Sequence, residues 1–210
     1  MRGQVYELLK SAICDGEFAP GQWLQEVELS EKLSVSRSPI REALRQLASD
    51  GLVVEVPNKG VFVREFTAKD IEEIFEIRVL TENYAIDKIC GHLSDDGARR
   101  LQDCMQHVEE TFAKGDLSKY IEADTQLHDL IIELSGNDFL GIIYKRIHIM
   151  IQQFRAFSLM DNPQRYNESI IEHRGIVENI INNHPQEAKE INAHHLTLAK
   201  DQILLHMKKK

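Results

Sequence analysis

Cysteine is scarce in this sequence, and the few that occur are far apart. Cys14, Cys90 and Cys104 are odd in number and widely spaced, so we expect neither a disulfide framework nor a cysteine zinc site. The sequence also lacks a signal peptide and an unbroken apolar run long enough to cross a membrane. These absences predict a cytosolic protein with buried, reduced thiols and no membrane association.

Repeats and low-complexity segments are absent as well, and the chain contains enough apolar residues to fold. Its 210 residues and 42% hydrophobic content are sufficient for two modest domains. β-type patterning gives way to helical periodicity between Arg64 and Thr67. We therefore expect an N-terminal domain at residues 1–64 and a C-terminal domain at residues 65–210.

The chain opens with a predicted helix that ends at Gly16. Its apolar residues recur at helical spacing: Val5, Leu8, Leu9 and Ile13. A turn at Pro20 and Gly21 follows, and we expect Trp23 and Leu24 beyond it to be packing residues.

Residues 27–54 predict a short helix, a turn of roughly four residues and a second helix that ends at Gly51. Ser38 followed by Pro39 predicts the start of the second helix, because serine can cap free N–H groups and proline fits the first helical position. One face of this helix is apolar, with Ile40, Ala43, Leu44 and Leu47. Arg41 and Arg45 lie one turn apart on another side, with Arg37 just upstream. Such a helix suits insertion into a DNA major groove.

Two short β-rich runs follow, at Leu52–Val56 and Val61–Val63. The sequence Pro57-Asn58-Lys59-Gly60 between them has hairpin turn chemistry with a basic tip. A helix, a turn, a helix and a small ribbon in this order predict a winged helix-turn-helix. An ordinary helical hairpin with a solvated basic face is the alternative, and the ribbon weighs against it.

The pattern assigns a DNA contact to six residues. We expect Arg37, Arg41 and Arg45 to contact phosphates and base edges, and Ser38 to touch a phosphate as well as cap the helix. Lys59 and Gly60 at the wing tip would approach the DNA backbone or the minor groove, where glycine permits close contact.

The distribution of charge agrees with this assignment. Residues 1–64 hold eight Lys or Arg and nine Asp or Glu, a net charge of −1, whereas residues 65–210 hold seventeen and twenty-five, a net charge of −8. The net charge of −9 therefore comes mostly from the C-terminal domain. A local positive surface can exist within the N-terminal domain, although non-specific DNA affinity should be weak.

From Thr67 onward the periodicity predicts six helices with short connections, which is typical of an all-helical antiparallel bundle. The predicted starts are Thr67, Ser94, Asp116, Asn137, Asn162 and His184. The fourth helix is expected to extend through Leu159. The sixth is expected to end at the basic Lys208, Lys209 and Lys210, which suit a helix C-terminus.

Ionisable residues interrupt the apolar stripes of three bundle helices. Asp124 and His128 share a face of the third helix with Leu117, Ile121 and Ile131. On the fifth helix, His173 is flanked at helical spacing by Ile170, Ile176, Val177 and Ile180. On the sixth, His195 lies on the inward face, while His194 lies on a polar face. Four ionisable side chains are thus directed into the bundle core, where buried polar groups need partners.

Three imidazoles and one carboxylate suit a first-row divalent metal held by Asp124, His128, His173 and His195. Zinc or nickel fits this nitrogen-rich set best, and counting ligands does not exclude manganese. A hydrogen-bonded network of the same residues without a metal is the alternative.

The sequence resembles GntR-type bacterial transcription regulators of the branch whose effector domain is called FCD, and the resemblance covers essentially the whole chain. In the first domain it rests on Glu28-Leu29-Ser30-Glu31-Lys32-Leu33, on Val35-Ser36-Arg37-Ser38-Pro39-Ile40-Arg41-Glu42-Ala43-Leu44 and on Asn58-Lys59-Gly60-Val61-Phe62-Val63. In the second domain it rests on Glu76-Ile77-Arg78, on Asp124 and His128 followed by Ser135-Gly136-Asn137, on Glu172-His173 and on His195-Leu196.

The resemblance implies a homodimer that binds palindromic operator DNA and a C-terminal domain that binds a small carboxylate or sugar-acid effector. It also implies a divalent metal at Asp124, His128, His173 and His195, and a role for Arg78 in binding the effector's carboxylate, for which a forked guanidinium is suited. The predicted number of helices in the effector domain, six, resembles that of the VanR-type subgroup.

Two other functions compete with a ligand-responsive regulator. A metal with open positions could activate water in an enzyme, but we identify no catalytic residue because no additional general base is apparent. A structural helical dimer with a ligand-free polar core is the third possibility. The DNA-binding domain in the same chain favours the regulator.

Overall fold

A computed structural model of the chain describes residues 2–155, 159 and 162–208. Contacts divide the chain into two compact units. The N-terminal unit comprises Met1–Thr67 with Arg146–Phe154, and the C-terminal unit comprises Ala68–Lys145 with Arg155–Lys210. Among the described residues, no helix combines the length and apolar character needed to cross a lipid bilayer.

The N-terminal unit is a winged helix-turn-helix, as the sequence predicts. Its elements are α1 (Arg2–Cys14), β1 (Trp23–Leu24), α2 (Glu26–Lys32), α3 (Arg37–Ser49), β2 (Val53–Val56) and β3 (Gly60–Val63). The antiparallel sheet has the order β1-β3-β2. The sequence did not predict β1, in which Trp23 pairs with Phe62 and Leu24 with Val61.

The apolar face predicted for α3 forms the centre of the N-terminal core. Its four residues are buried: Ile40, Ala43, Leu44 and Leu47. One predicted core residue of α1 is wrong, because the side chain of Leu8 is 57% exposed. The neighbouring Tyr6 is buried instead, and its hydroxyl donates a hydrogen bond to Asp50 at 2.7 Å.

The predicted start of α3 at Ser38 and Pro39 is also wrong. The helix begins at Arg37, and its N-cap is Ser36, which has extended backbone angles of φ −69° and ψ 163°. The chain has already turned at Ser34, which has a φ of 52°, so the helix begins two residues earlier than its capping chemistry suggests. Pro39 still fits, because the first helical turn needs no intrahelical N–H partner. Ser38 does not cap the helix and lies exposed in the first turn.

The C-terminal unit contains the predicted helical bundle. Within the described residues its helices are α4 (Ala68–Ile89), α5 (Asp95–Ala113), α6 (Leu117–Leu134), α7 (Asp138–Arg155), α8 (Pro163–Ile181) and α9 (Pro185–Lys208). Four of the predicted starting residues, Ser94, Asp116, Asn137 and Asn162, each accept a hydrogen bond from a backbone N–H three residues later. The fold class is therefore confirmed.

Two predicted helix ends involve residues outside the described part of the chain. The predicted extension of the fourth helix crosses residues 156–158, and the predicted end of the sixth includes Lys209 and Lys210.

Helix α7 contributes to both units. Tyr144, in its first half, is buried in the core of the C-terminal unit. Ile149, in its second half, is buried in the core of the N-terminal unit, together with residues of α1 and α3. The two cores are therefore connected through one continuous helix as well as through the segment at residues 64–67.

The wing tip requires glycine for its own structure. Gly60 has a φ of +108°, and a Cβ atom added to it would lie 2.5 Å from Nε1 of Trp23. We expect Gly60→Ala to lower the free energy of unfolding by about 1–3 kcal/mol, since it combines backbone strain with a clash. Denaturant unfolding followed by circular dichroism and by the fluorescence of the single tryptophan would measure this change. Gly3→Ala is the matched control, because a Cβ there meets no atom within 4 Å; equal stabilities of the two variants would contradict the prediction.

Candidate functional site

Helices α6, α8 and α9 bring four of the predicted site residues together inside the C-terminal unit. Asp124, His128, His173 and His195 each offer one ligand atom, and these atoms all lie within 4.8 Å of one another. The histidines are 0%, 0% and 4% exposed, and the side chain of Asp124 is 13% exposed. His194, which the periodicity assigned to the polar face, is exposed. We call these four residues the His/Asp cluster.

The spacing within the His/Asp cluster suits one small cation. Oδ1 of Asp124 lies 2.9 Å from Nε2 of His173 and 4.0 Å from Nε2 of His128. The Nε2 atoms of His128 and His173 are 3.4 Å apart. Ligand atoms bound about 2.1 Å from a common ion are separated by about 3–4 Å. The residues present therefore fit a metal, both in donor type and in spacing.

Carboxylates outside the cluster orient two of its imidazoles. Nδ1 of His128 lies 2.9 Å from Oε2 of Glu82, and Nδ1 of His195 lies 2.7 Å from Oε2 of Glu172. Because an ionised carboxylate only accepts hydrogen bonds, each Nδ1 carries the proton and donates it. The lone pair of a neutral ring is then on Nε2, which is the arrangement that metal-binding histidines need.

The third imidazole is held between a phenol and the cluster carboxylate. Nδ1 of His173 lies 3.4 Å from the hydroxyl of Tyr120, which donates to Oγ of Ser169 at 2.9 Å. The other ring nitrogen, Nε2, faces Asp124. All three histidines thus have Nδ1 directed to an outer partner.

The predicted effector residue Arg78 belongs to the same buried network. Its Nε donates to Oε1 of Glu82 at 2.7 Å, and the hydroxyl of Tyr144 donates to that oxygen at 2.6 Å. Burial opposes the charged form of Glu82, but the positive charge of Arg78 and the contact with His128 outweigh it and hold the pKa of this carboxyl below its usual range. The Nη2 atom of Arg78 is buried and finds no hydrogen-bond partner among the described residues.

A second arginine supports the other carboxylate. Nη2 of Arg165 donates to Oε2 of Glu172 at 2.7 Å and to the backbone carbonyl of His195 at 3.3 Å. Arg165 is only 2% exposed. Each of the two carboxylates that orient a histidine is therefore paired with a buried arginine.

The surroundings keep two of the imidazoles uncharged. Burial lowers the pKa of His128. Burial also lowers the pKa of His195 well below its ordinary value, and the neighbouring His173 and His128 add to this effect. Neutral imidazoles with a free Nε2 can bind a metal without first losing a proton.

Five residues of this network were not predicted as site residues from the sequence: Glu82, Tyr120, Tyr144, Arg165 and Glu172. A weak signal existed for Glu82, which lies one turn after Arg78 on α4. No comparable signal marked Arg165, because an arginine near the start of a helix ordinarily faces solvent.

The predicted DNA-binding residues lie on the surface of the N-terminal unit. Arg37, Arg41 and Arg45 are exposed on α3, at successive turns of one side, and we call them the arginine face. Lys59 is exposed between β2 and β3, and Gly60 is partly buried. Arg41 makes two hydrogen bonds to Glu26, at 2.9 and 2.8 Å, a contact that the sequence did not indicate.

Comparison with known proteins matches both units to established families. The family described as bacterial regulatory proteins, gntR family, matches residues 1–63, and the FCD domain family matches residues 73–198. The uncharacterized HTH-type transcriptional regulator YdhC of Bacillus subtilis (strain 168) is 29% identical over 188 residues, covering 89% of this chain and 84% of that protein.

Solved structures agree with these matches. A GntR transcriptional regulator from Rhodococcus sp. RHA1 has a TM-score of 0.77 and 27% identity, over 97% of each chain. A Zn²⁺-bound FCD domain of another transcriptional regulator has a TM-score of 0.56 and 25% identity, over 70% of this chain and 99% of that domain. The chain is thus a DNA-binding transcription regulator and not an enzyme, and it belongs to the GntR family, with an FCD domain after its winged helix-turn-helix.

Proposed function

We propose that this regulator responds to a small carboxylate or sugar-acid effector that binds at a divalent metal in the C-terminal unit. The observation that carries the proposal is the orientation of the imidazoles: His128, His173 and His195 each direct Nδ1 to an outer partner. With Asp124 they would hold the ion. Zinc or nickel suits this ligand set, manganese stays open, and the Zn²⁺ of the related FCD domain supports zinc.

The effector would be recognised by charge and by a forked donor. A metal in the His/Asp cluster would supply positive charge and open positions that accept a carboxylate oxygen. Glu82 accepts a hydrogen bond from Nε of Arg78 and so fixes the guanidinium in the same buried network. The N–H groups of Nη2 have no partner among the described residues and can donate to the effector. An anionic oxygen would satisfy this buried donor, which otherwise carries a desolvation cost.

On the DNA side, the arginine face would contact phosphates and base edges, and Ser38 would touch a phosphate. Lys59 and Gly60 would approach the backbone or the minor groove at the wing tip. Two copies of the chain would form a homodimer on a palindromic operator in the cytoplasm. Residues 1–64 would form the DNA-binding domain and residues 65–210 the effector domain.

Ligand and DNA would be coupled by two connections. Glu82 contacts His128 with one oxygen and Tyr144 with the other, so a change at the cluster reaches α7 directly. The second half of α7 belongs to the N-terminal unit. An effector that favours one packing of the bundle would move α7 and the segment at residues 64–67, and would alter the spacing of the two DNA-binding domains.

The metal assignment can be tested by elemental analysis of protein purified without chelator. We expect about one equivalent of metal in the wild type and a loss of most of it in His195→Ala, because one of four ligands is removed. His194→Ala is the matched control, since this exposed neighbour should retain the metal. A metal-free wild type whose melting temperature is unaffected by chelator would instead support a hydrogen-bonded network.

The effector assignment can be tested by a thermal-shift titration with a panel of small carboxylates and sugar acids. We expect stabilisation by at least one of them, which is lost on adding chelator and weakened about tenfold or more in Arg78→Lys, because lysine keeps the charge but not the fork. A carboxylate that stabilises Arg78→Lys as well as the wild type would remove Arg78 from the site.

The DNA assignment can be tested with a duplex selected by the wild-type protein from a randomised pool. Arg41→Ala should lower the affinity for this duplex by about 1–3 kcal/mol if Arg41 contacts a base. Arg100→Ala is the matched control: Arg100 is also paired with a glutamate, Glu133, at 2.7 Å, but lies on α5. Equal affinities of Arg41→Ala and wild type at fixed salt would contradict the assignment of Arg41 to a DNA contact.

A further inference from the structure

An acidic residue lies against the arginine face. Glu26, the first residue of α2, accepts hydrogen bonds from Nε of Arg41 at 2.9 Å and from Nη2 of Arg41 at 2.8 Å. The two side chains are 33% and 56% exposed. Solvent screens an ion pair at this degree of exposure and limits its contribution to the stability of the fold, so a role in binding deserves to be considered beside a role in folding.

The geometry of the pair leaves one edge of the guanidinium free. A guanidinium has five N–H groups, one on Nε and two on each terminal nitrogen. Glu26 uses the Nε–H and one N–H of Nη2. The remaining N–H of Nη2 and the N–H of Nη1 parallel to it form the outer edge, and this edge can donate two parallel hydrogen bonds to O6 and N7 of a guanine.

The pair also changes the charge of the surface. The hydrogen bond from Arg41 holds the pKa of the Glu26 carboxyl below its usual range, and the positive charges of Arg37 and Arg45 act in the same direction. Glu26 is therefore ionised at neutral pH and cancels part of the positive charge of the arginine face. A negative charge here repels phosphates of any sequence, and DNA of any sequence is bound mainly through its phosphates.

We propose that Glu26 is a positioning residue for sequence recognition. It fixes the fork of Arg41 so that the outer edge meets a base, and it lowers the affinity of the arginine face for DNA in general. Glu26 thereby converts a residue that could serve as a simple phosphate contact into one that discriminates between base pairs. This inference rests on the proposed role of the arginine face in contacting the operator.

The test compares full-length wild type, Glu26→Gln and Glu28→Gln on two duplexes. One duplex is selected by the wild type from a randomised pool, and the other is a scrambled duplex of the same length and composition. Glu28→Gln is the matched control, because Glu28 is an exposed glutamate of the same helix that pairs with Gln25 rather than with an arginine. Both variants lose one negative charge, and thermal unfolding checks that both are folded.

We expect Glu26→Gln to bind the scrambled duplex several-fold more tightly than wild type and to lose about tenfold in the ratio of selected to scrambled affinity. Its affinity for the scrambled duplex should also fall more steeply with salt, because Arg41 is then free to contact a phosphate. Glu28→Gln should leave the ratio unchanged. In an Arg41→Lys background the substitution Glu26→Gln should no longer alter the ratio, since lysine has no fork to position.

Several outcomes would overturn the inference. An unchanged ratio in Glu26→Gln, or equal changes in Glu26→Gln and Glu28→Gln, would reduce Glu26 to a general surface charge. An effect of Glu26→Gln that persists with Arg41→Lys would show that Glu26 does not act through Arg41. A wild type that enriches no sequence from the pool would refute the proposed DNA recognition itself, which separates that failure from a failure of this inference alone.

Discussion

The C-terminal unit depends on the cost of keeping the carboxylate of Glu82 in an apolar interior. This side chain is 0% exposed, and a buried charge is tolerated only when it is paired and hydrogen-bonded. Arg78, Tyr144 and His128 meet that requirement from α4, α7 and α6. The three helices are thereby fixed relative to one another at a single point, and the ring of His128 is fixed with them.

The His/Asp cluster is a hydrogen-bonded network and a potential metal site at the same time. The distance of 2.9 Å between Oδ1 of Asp124 and Nε2 of His173 places a proton between two atoms that a cation would also use. Loss of that proton on metal binding would leave Glu82 and Glu172 in place, because they hold the opposite nitrogens of His128 and His195. The two alternatives that the sequence left open would therefore be two states of one arrangement, separated by little rearrangement.

Local chemistry in the sequence predicted the helices, the wing and the inward histidines, but not β1 or the partners of those histidines. Capping by Ser94, Asp116 and Asn162 depends on residues three positions apart, and the burial of His195 rather than His194 follows from the helical period. Glu82 and Glu172 orient histidines 46 and 23 residues away, and residue type alone assigns both to the surface. The start of α3 was misplaced for a different reason. The backbone N–H groups of Ser34 and Val35 donate to the carbonyls of Glu31 and Ser30 and close α2 in a left-handed turn at Ser34, independently of the capping potential of Ser38.

Both units use a carboxylate to hold one edge of a polar group and leave the other edge free. Glu82 holds Nδ1 of His128 and leaves Nε2 to the cluster, while Glu26 holds the Nε edge of Arg41 and leaves its outer edge to solvent. A group oriented beforehand loses less conformational entropy when its ligand binds. The two contacts differ in burial, and therefore in consequence. Loss of the buried contact between Glu82 and His128 would destabilise the bundle, because it would leave an unpaired polar group in the core. Loss of the exposed contact between Glu26 and Arg41 would change the free energy of unfolding much less. Substitution on α2 would thus alter the recognition of DNA without disturbing the core that would sense the ligand.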